Sequence, residues 1–378
     1  MPDTRLIRTF LEPQHASLAE RARGFAMGEV AGRPEPADDS AARTEARSLL
    51  GLLGAGGWLR PILDLDLRGC CLMREALGEA SPLADAVFAL QGLGTTPILL
   101  GGTPAQKDRW LRPIAEGRVM TAFAMTEPEA GSDVARIGTT ARRDGSGWVL
   151  NGIKTLISNG GIADLYAVFA STDPAKGAKG IGCFLVPAET PGLRYVKPQV
   201  LSAPHPLGEI AFEGCRVPAD ALLGAEGRGY ALGLATLDRL RPTVAAAACG
   251  MAARALAESL AHVKRRQQFG KPLAEFQLVQ QKLARMATDL TAARLLTYRA
   301  AYEKDQGQER ITSEAAMAKS FATEMAQRTV DDAVQLIGGR GVLAEHPVDR
   351  LYRAVRALRI YEGTTEIQQL IIAGDLLK

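Results

Sequence analysis

The alternation of apolar and polar positions divides the chain into three stretches of different period. Up to about residue 118, Ala, Leu, Glu and Arg recur in helix-like runs that break at glycine-rich points, Gly54-Ala55-Gly56-Gly57 and Gly101-Gly102. From about 121 to 224 the period shortens: Leu165-Tyr-Ala-Val-Phe-Ala170, Ile181-Gly-Cys-Phe-Leu-Val186 and Glu209-Ile-Ala-Phe212 are apolar runs bounded by Pro, Gly and Asp, as strands are. Trp148-Val-Leu150 and residues 153–157 flank Asn151-Gly152, a dipeptide at ease at positive φ, so the spacing predicts a hairpin turning there. After Gly229 the helical period returns. Phe276, Val279, Leu283, Met286 and Leu290 make one apolar stripe beginning just after Pro272. A second helix is predicted from Ser313, with Met317, Phe321, Met325, Val330, Val334 and Ile337 on a face, and Gly338-Gly339 stops it.

Stripes of this kind need partners. Antiparallel packing in a four-helix bundle is the expected solution, and Ala245-Ala-Ala-Ala248 lets another helix approach closely. The pattern predicts an α+β protein with an N-terminal helical domain over 1–118, a middle β-barrel or sandwich domain over 119–226 and a C-terminal four-helix-bundle domain over 227–378.

Bulk properties narrow the function classes. The 378 residues suffice for two or three domains, and 45 basic against 42 acidic side chains leave the net charge near zero. With no basic arm, zinc-finger spacing or basic stripe interleaved with aromatics, nucleic acid is not an expected partner. No apolar run in the pattern approaches the roughly 20 residues that cross a bilayer, and the N-terminus lacks an apolar secretory core, so a cytoplasmic location without membrane contact is expected. Cys70, Cys71, Cys183, Cys215 and Cys249 show no Cys-x-x-Cys spacing and suit a reducing compartment. His15, His205, His262 and His346 form no metal-ligand pattern. Gly339-Arg-Gly341-Val-Leu-Ala344 matches the dinucleotide fingerprint as letters, but a helical pattern precedes it where that motif needs a strand.

The candidate chemistry lies in five dispersed segments: Ala124-Met-Thr-Glu-Pro-Glu-Ala-Gly-Ser-Asp133, Asn151-Gly-Ile-Lys-Thr-Leu-Ile-Ser-Asn-Gly160, Arg266-Gln-Gln-Phe-Gly-Lys-Pro-Leu273 with Phe276-Gln277, Gln335-Leu-Ile-Gly-Gly339 and Tyr361-Glu-Gly-Thr-Thr-Glu-Ile-Gln368. In order and spacing they resemble the FAD-dependent acyl-CoA dehydrogenase family, over nearly the whole chain. Leu59-Arg-Pro-Ile-Leu-Asp64 stands where the family usually has a Gly-Gly loop. The resemblance implies α,β-dehydrogenation of an acyl-CoA thioester to the 2-enoyl-CoA. That reaction needs a base for the α proton, stabilisation of enolate charge and an acceptor for the β hydride. No side chain accepts hydride, whereas a flavin does. Glu362 is the expected base, since enclosure would disfavour its charge and strengthen it as a proton acceptor. Leu240 stands where some relatives carry the base, and an apolar residue cannot serve.

The same resemblance assigns Met125, Thr126, Ser132, Leu156, Ile157, Ser158, Thr364 and Glu366 to one FAD, and Arg266, Phe269, Gln277, Gln335, Gly338 and Gly339 to the FAD of a neighbouring subunit. It also implies a homo-oligomer, with a tetramer expected, and an electron-transferring flavoprotein as acceptor. Ser132, Asp238, Arg241 and Gly363 are the expected substrate neighbours, although Asp238 and Arg241 also suit a plain intrahelical pair. Two departures stand out. Leu156 replaces the tryptophan that relatives place against the flavin, and Leu201-Ser-Ala-Pro-His-Pro206 replaces a commoner Arg/Ser/Thr segment, which admits a branched or cyclic acyl group. A flavin oxidase or monooxygenase on this fold, and a non-catalytic relative, remain as alternatives.

Overall fold

A computed structural model describes residues 4–378, whose contacts group them into two compact units. One unit holds Glu35–Leu65 and Ala86–Leu237. Its centre is a seven-stranded sheet of β1 (Thr121–Ala124), β2 (Thr140–Asp144), β3 (Gly147–Ser158), β4 (Leu165–Ser171), β5 (Ile181–Pro187), β6 (Leu193–Pro198) and β7 (Leu207–Pro218). Strand order is β1-β4-β2-β3-β7-β6, with β5 paired to β4. All seven residues of β4 are buried, which explains its unbroken apolar run. Because successive strand residues point to opposite faces, Tyr166, Val168 and Ala170 enter one core with Trp148, Phe184 and Phe212. Leu165, Ala167 and Phe169 enter another, which Ile98 and Ile114 from helices help to cover.

The expected hairpin at Asn151-Gly152 is not there. Strand β3 runs straight through the dipeptide, and the chain reverses earlier, where Asp144 pairs with Gly147 across Gly145 at φ 57°. Gly152 instead sits in a bulge, with the β3–β7 register shifting between Leu150 and Gly152. Its φ of 150° and the nearness of Thr139, whose Oγ1 would lie 2.4 Å from an added Cβ, require glycine. Asn151 Oδ1 accepts from the Gly214 N–H at 2.7 Å, so both residues serve a distortion inside a strand. A bulge and a turn ask for the same backbone freedom, and the sequence signal is shared.

The other unit comprises the described residues up to Pro34, Asp66–Asp85 and Asp238–Lys378. Portions of the helix Gly229–Arg265, the helices Gln277–Asp305, Thr312–Ile337 and Pro347–Leu358 surround one core that includes Val244, Met286, Met325, Val330 and Val355. The four-helix arrangement is as the periodicity requires. Gln277–Asp305 and Thr312–Ile337 run antiparallel, since Lys282 bonds Asp332 at 2.7 Å and Asp289 meets Arg328 at 3.6 Å. Gly338, at φ 72°, ends the second of them. The alanine run does admit a close neighbour: an added Cβ on Gly78, in the helix Leu67–Ala80, would stand 2.9 Å from the Ala247 carbonyl oxygen.

Two helices, Pro82–Gly101 with 20 residues and Gly229–Arg265 with 37, are long and apolar enough to cross a membrane by length and composition, contrary to the expectation from the pattern. Most of each apolar window, 67% and 61%, is buried within the protein, so core packing accounts for the hydropathy. All five cysteines are free and buried, and burial raises each thiol's pKa.

Candidate active site

In the sheet unit, Met125 and Thr126 follow β1, and the Thr155 N–H donates to the Thr126 carbonyl at 3.0 Å. The structure thereby brings Met125 and Thr126 alongside Leu156, Ile157 and Ser158. A second register shift, between Lys154 and Ile157, leaves Leu156 at φ 54° with its side chain 55% exposed. A left-handed, outward-facing leucine is costly unless something covers it. Gln199 braces the distortion, accepting from the Leu156 N–H and donating to Thr155 Oγ1, both at 2.7 Å. Ser158 Oγ shares a 2.9 Å hydrogen bond with His205 Nε2, whose pKa burial lowers to about 4, so that imidazole is neutral at pH 7. Ser132 lies exposed in the loop after Glu127, which a two-way bond between Glu127 and Ala130 closes.

Sequence reasoning missed what holds this edge. Lys154 is fully buried and donates to Glu127 Oε1 at 2.7 Å and to the Met125 carbonyl at 3.0 Å. Glu127 further accepts from the N–H groups of Gly138 at 2.5 Å and Thr139 at 3.0 Å. Burial would raise the Glu127 pKa, but Lys154 and these donors bring it below the usual carboxylate value; burial lowers that of Lys154 to about 8 against the pull of Glu127. The sequence sign was a lysine between apolar residues of the strand, in Ile153-Lys-Thr-Leu-Ile157.

In the helical unit, Glu362 and Gly363 have φ of 55° and 94°, and Thr364 caps the helix Thr365–Leu376 by accepting from the Ile367 N–H at 3.3 Å. Glu366 is exposed in the first turn, where a backbone hydrogen bond and Thr364 lower its pKa. Three buried side chains grip the turn by its carbonyls: Arg241 Nε donates to Glu362 O at 3.2 Å, Lys319 Nζ to Gly363 O at 2.7 Å, and Gln368 Nε2 to both, at 3.2 and 2.9 Å. Gly363 has no room for a side chain, since a Cβ would meet Gln368 Nε2 at 2.5 Å.

The backbone of the turn is therefore fixed, while the carboxylate is free. Glu362 is half-buried as a residue, yet its Oε2 is fully buried and has no hydrogen-bond partner among the described residues. Burial raises its pKa; Arg74, Lys319 and Arg241 oppose the rise and Asp85 reinforces it. An unpartnered buried carboxylate oxygen is a proton acceptor without a proton to accept. Asp238 and Arg241 do form the intrahelical ion pair, and Asp238 Oδ2 also accepts from Thr312 Oγ1 at 2.7 Å, so both have structural work beside any contact with substrate.

Arg266, Phe269, Gln277, Gln335, Gly338 and Gly339 are all exposed. Phe269 and Gly270, at φ 52° and 79°, form the two-residue tip between Gln267–Gln268 and Lys271–Pro272, and Phe269 is 93% exposed. The ion-pair register Lys282–Asp332, carried back about one turn, sets Gln277 beside Gln335 and the glycines.

An exposed left-handed leucine beside Thr126 fits the face of a flat ring, and the orphaned Glu362 oxygen fits an acidic C–H, so the residues present suit a flavin and an acyl thioester. Comparison with known proteins agrees. Three family models match: Acyl-CoA dehydrogenase, N-terminal domain over 12–118, middle domain over 122–215 and C-terminal domain over 227–377. The chain is 39% identical to a 3-(aryl)acrylate reductase of Clostridium sporogenes, over 98% of this chain and 100% of that protein. Butyryl-CoA dehydrogenase from Megasphaera elsdenii superposes with a TM-score of 0.91 at 35% identity, covering 97% and 99% of the two chains. A structure described as the electron transferring flavoprotein of Acidaminococcus fermentans gives 0.93 at 36%, with the same coverage. Similar solved structures include FAD complexes. With matched domains over most of its length and relatives of this identity, the chain belongs to the acyl-CoA dehydrogenase family.

Proposed function

We propose that this FAD-dependent oxidoreductase removes hydrogen from Cα and Cβ of an acyl-CoA to give the 2-enoyl-CoA, with Glu362 as the base. The observation that carries the reading is the buried, unpartnered Oε2 of Glu362 on a turn whose backbone Arg241, Lys319 and Gln368 hold still. Met125, Thr126, Ser132, Leu156, Ile157, Ser158, Thr364 and Glu366 would hold FAD, which when bound supplies the hydride acceptor. Glu362 takes the α proton on its free oxygen. Gly363, next to it on the turn, and Asp238 and Arg241, which border that turn, are the proposed neighbours of the substrate. Relatives that include a butyryl-CoA dehydrogenase favour a short acyl chain. Arg266, Phe269, Gln277, Gln335, Gly338 and Gly339 form an exposed surface suited to the FAD of a second subunit in a homo-oligomer. An electron-transferring flavoprotein is the proposed acceptor, and five buried free thiols suit a reducing cytoplasm.

The test is anaerobic titration of the purified flavoprotein with straight, branched and cyclic acyl-CoAs. Bleaching of the flavin by one class is expected in the wild type and should fall by about 10²-fold or more in rate in Glu362→Gln. Near-normal bleaching in that variant would remove Glu362 from the reaction. Rapid reoxidation by air with release of peroxide would favour the oxidase reading instead, for which the missing tryptophan at Leu156 is the relevant observation.

A further inference from the structure

Behind Glu362 lies a charged pair that the reaction as described does not use. Arg74, on the helix Leu67–Ala80, is 2% exposed, as is Asp85. The guanidinium meets the carboxylate in a two-pronged contact, Nε to Oδ1 and Nη2 to Oδ2, both at 2.8 Å, and its remaining Nη1 donates to Thr243 Oγ1 at 3.0 Å. Thr243 Oγ1 in turn donates to the Leu240 carbonyl at 2.7 Å, which fixes the outer end of the network to the helix that carries Arg241. Tyr361, the residue immediately before the proposed base, lies within electrostatic reach of Arg74 and Asp85.

A buried ion pair is a poor source of stability, because the cost of taking both charges out of water offsets their attraction. One that is tied through Thr243 and Leu240 to the helix whose Arg241 holds the Glu362 carbonyl invites another purpose. We propose that the Arg74–Asp85 pair is a positioning device that fixes the charge balance around the Glu362 carboxylate for α-proton transfer. The proposal rests on the reading of Glu362 as base.

The charged and titratable groups facing Glu362 are Arg74 and Asp85, Arg241 from the long helix, Lys319 from Thr312–Ile337, and Tyr361 beside it. Lys319 and Arg241 are committed to backbone carbonyls of the turn. Arg74 is the largest attractive influence on the carboxylate, and Asp85 both opposes it and neutralises Arg74. Asp85 thus sets how much of the Arg74 charge Glu362 feels. Full exposure to Arg74 would hold Glu362 ionised but leave it a weak base; without the pair, the carboxylate would stay protonated to higher pH.

Two variants of the flavin-loaded enzyme separate these outcomes. Asp85→Asn keeps the shape and unmasks Arg74; the double variant Arg74→Met/Asp85→Leu replaces the pair by apolar groups of similar volume, a change that buried pairs often tolerate. The midpoint of Glu362 protonation is read from its carboxyl infrared band, identified as the band absent from Glu362→Gln, and the acid limb of flavin reduction is followed in parallel. Asp85→Asn should move both to lower pH, and the double variant should move both to higher pH. Opposite displacement is not a result of general loosening. A midpoint that stays in place in whichever variants fold would overturn the proposal. If Glu362→Gln still abstracts the proton while the infrared midpoint moves as expected, the base assignment fails and the control of Glu362 by the pair stands.

Discussion

At the scale of single residues, the informative positions are those where a charge is buried and only part of it is satisfied. Glu362 has its carbonyl bonded twice and one carboxylate oxygen not at all, which separates a rigid backbone from a reactive side chain. Its raised pKa is also a statement about folding. A carboxyl that keeps its proton longer in the folded chain contributes stability at low pH, and that contribution is lost as the pH rises through the unfolded and then the folded value. Glu362→Gln should therefore gain thermal stability relative to the wild type as the pH is raised above the ordinary carboxylate range, and calorimetry at a series of pH values would check it. A gap that does not change with pH would contradict the burial argument. Glu362 was legible from its motif. Arg74, Lys154 and Lys319 were not, since a buried cation is tolerable only with a partner, and partners such as Glu127 and Gly363 lie far along the chain.

At the scale of elements, runs that bury both faces were easy to read and distortions were not. Strand β4 and the stripes of the long helices follow from period alone. Asn151-Gly152 was misassigned because a bulge and a hairpin turn both need a residue at positive φ, and only the pairing partner, β7, distinguishes them. Strands β1, β2 and β6 escaped notice: β1 is four residues long, and β6 has no fully buried position to mark a face. The edge formed by β1 and β3 depends on the Lys154–Glu127 bond rather than on periodicity. Glu127→Gln should cost about 3–5 kcal/mol in urea unfolding, because it strands the Lys154 charge in the core. The loss should narrow as the pH passes about 8, where Lys154 gives up its proton in the folded chain. An unchanged midpoint concentration of urea at pH 7 would show that the pair is not what holds the edge.

At the scale of the whole molecule, the helix, sheet, helix order followed from the sequence, whereas the way early helices join late ones did not. Residues 66–85 group with the C-terminal helices, an association set by Gly78 and Gly250 lying too close to other backbones to carry a side chain. Phe269, Leu278 and Val342 expose apolar surface on this unit, 93%, 77% and 66% respectively, which a second copy of the chain could cover. Light scattering of the flavin-loaded protein is expected to give a tetramer, and Phe269→Asp should lower both the assembly state and the flavin content; a flavin-saturated monomer would sink that reading. The five cysteines have a practical meaning of another kind. Each is buried, with its thiolate disfavoured, so the folded surface is chemically blank to thiol reagents. A single cysteine placed at an exposed position outside the proposed flavin surface, such as Gln308, would be the one site open to a maleimide dye, without removing any native residue from the core.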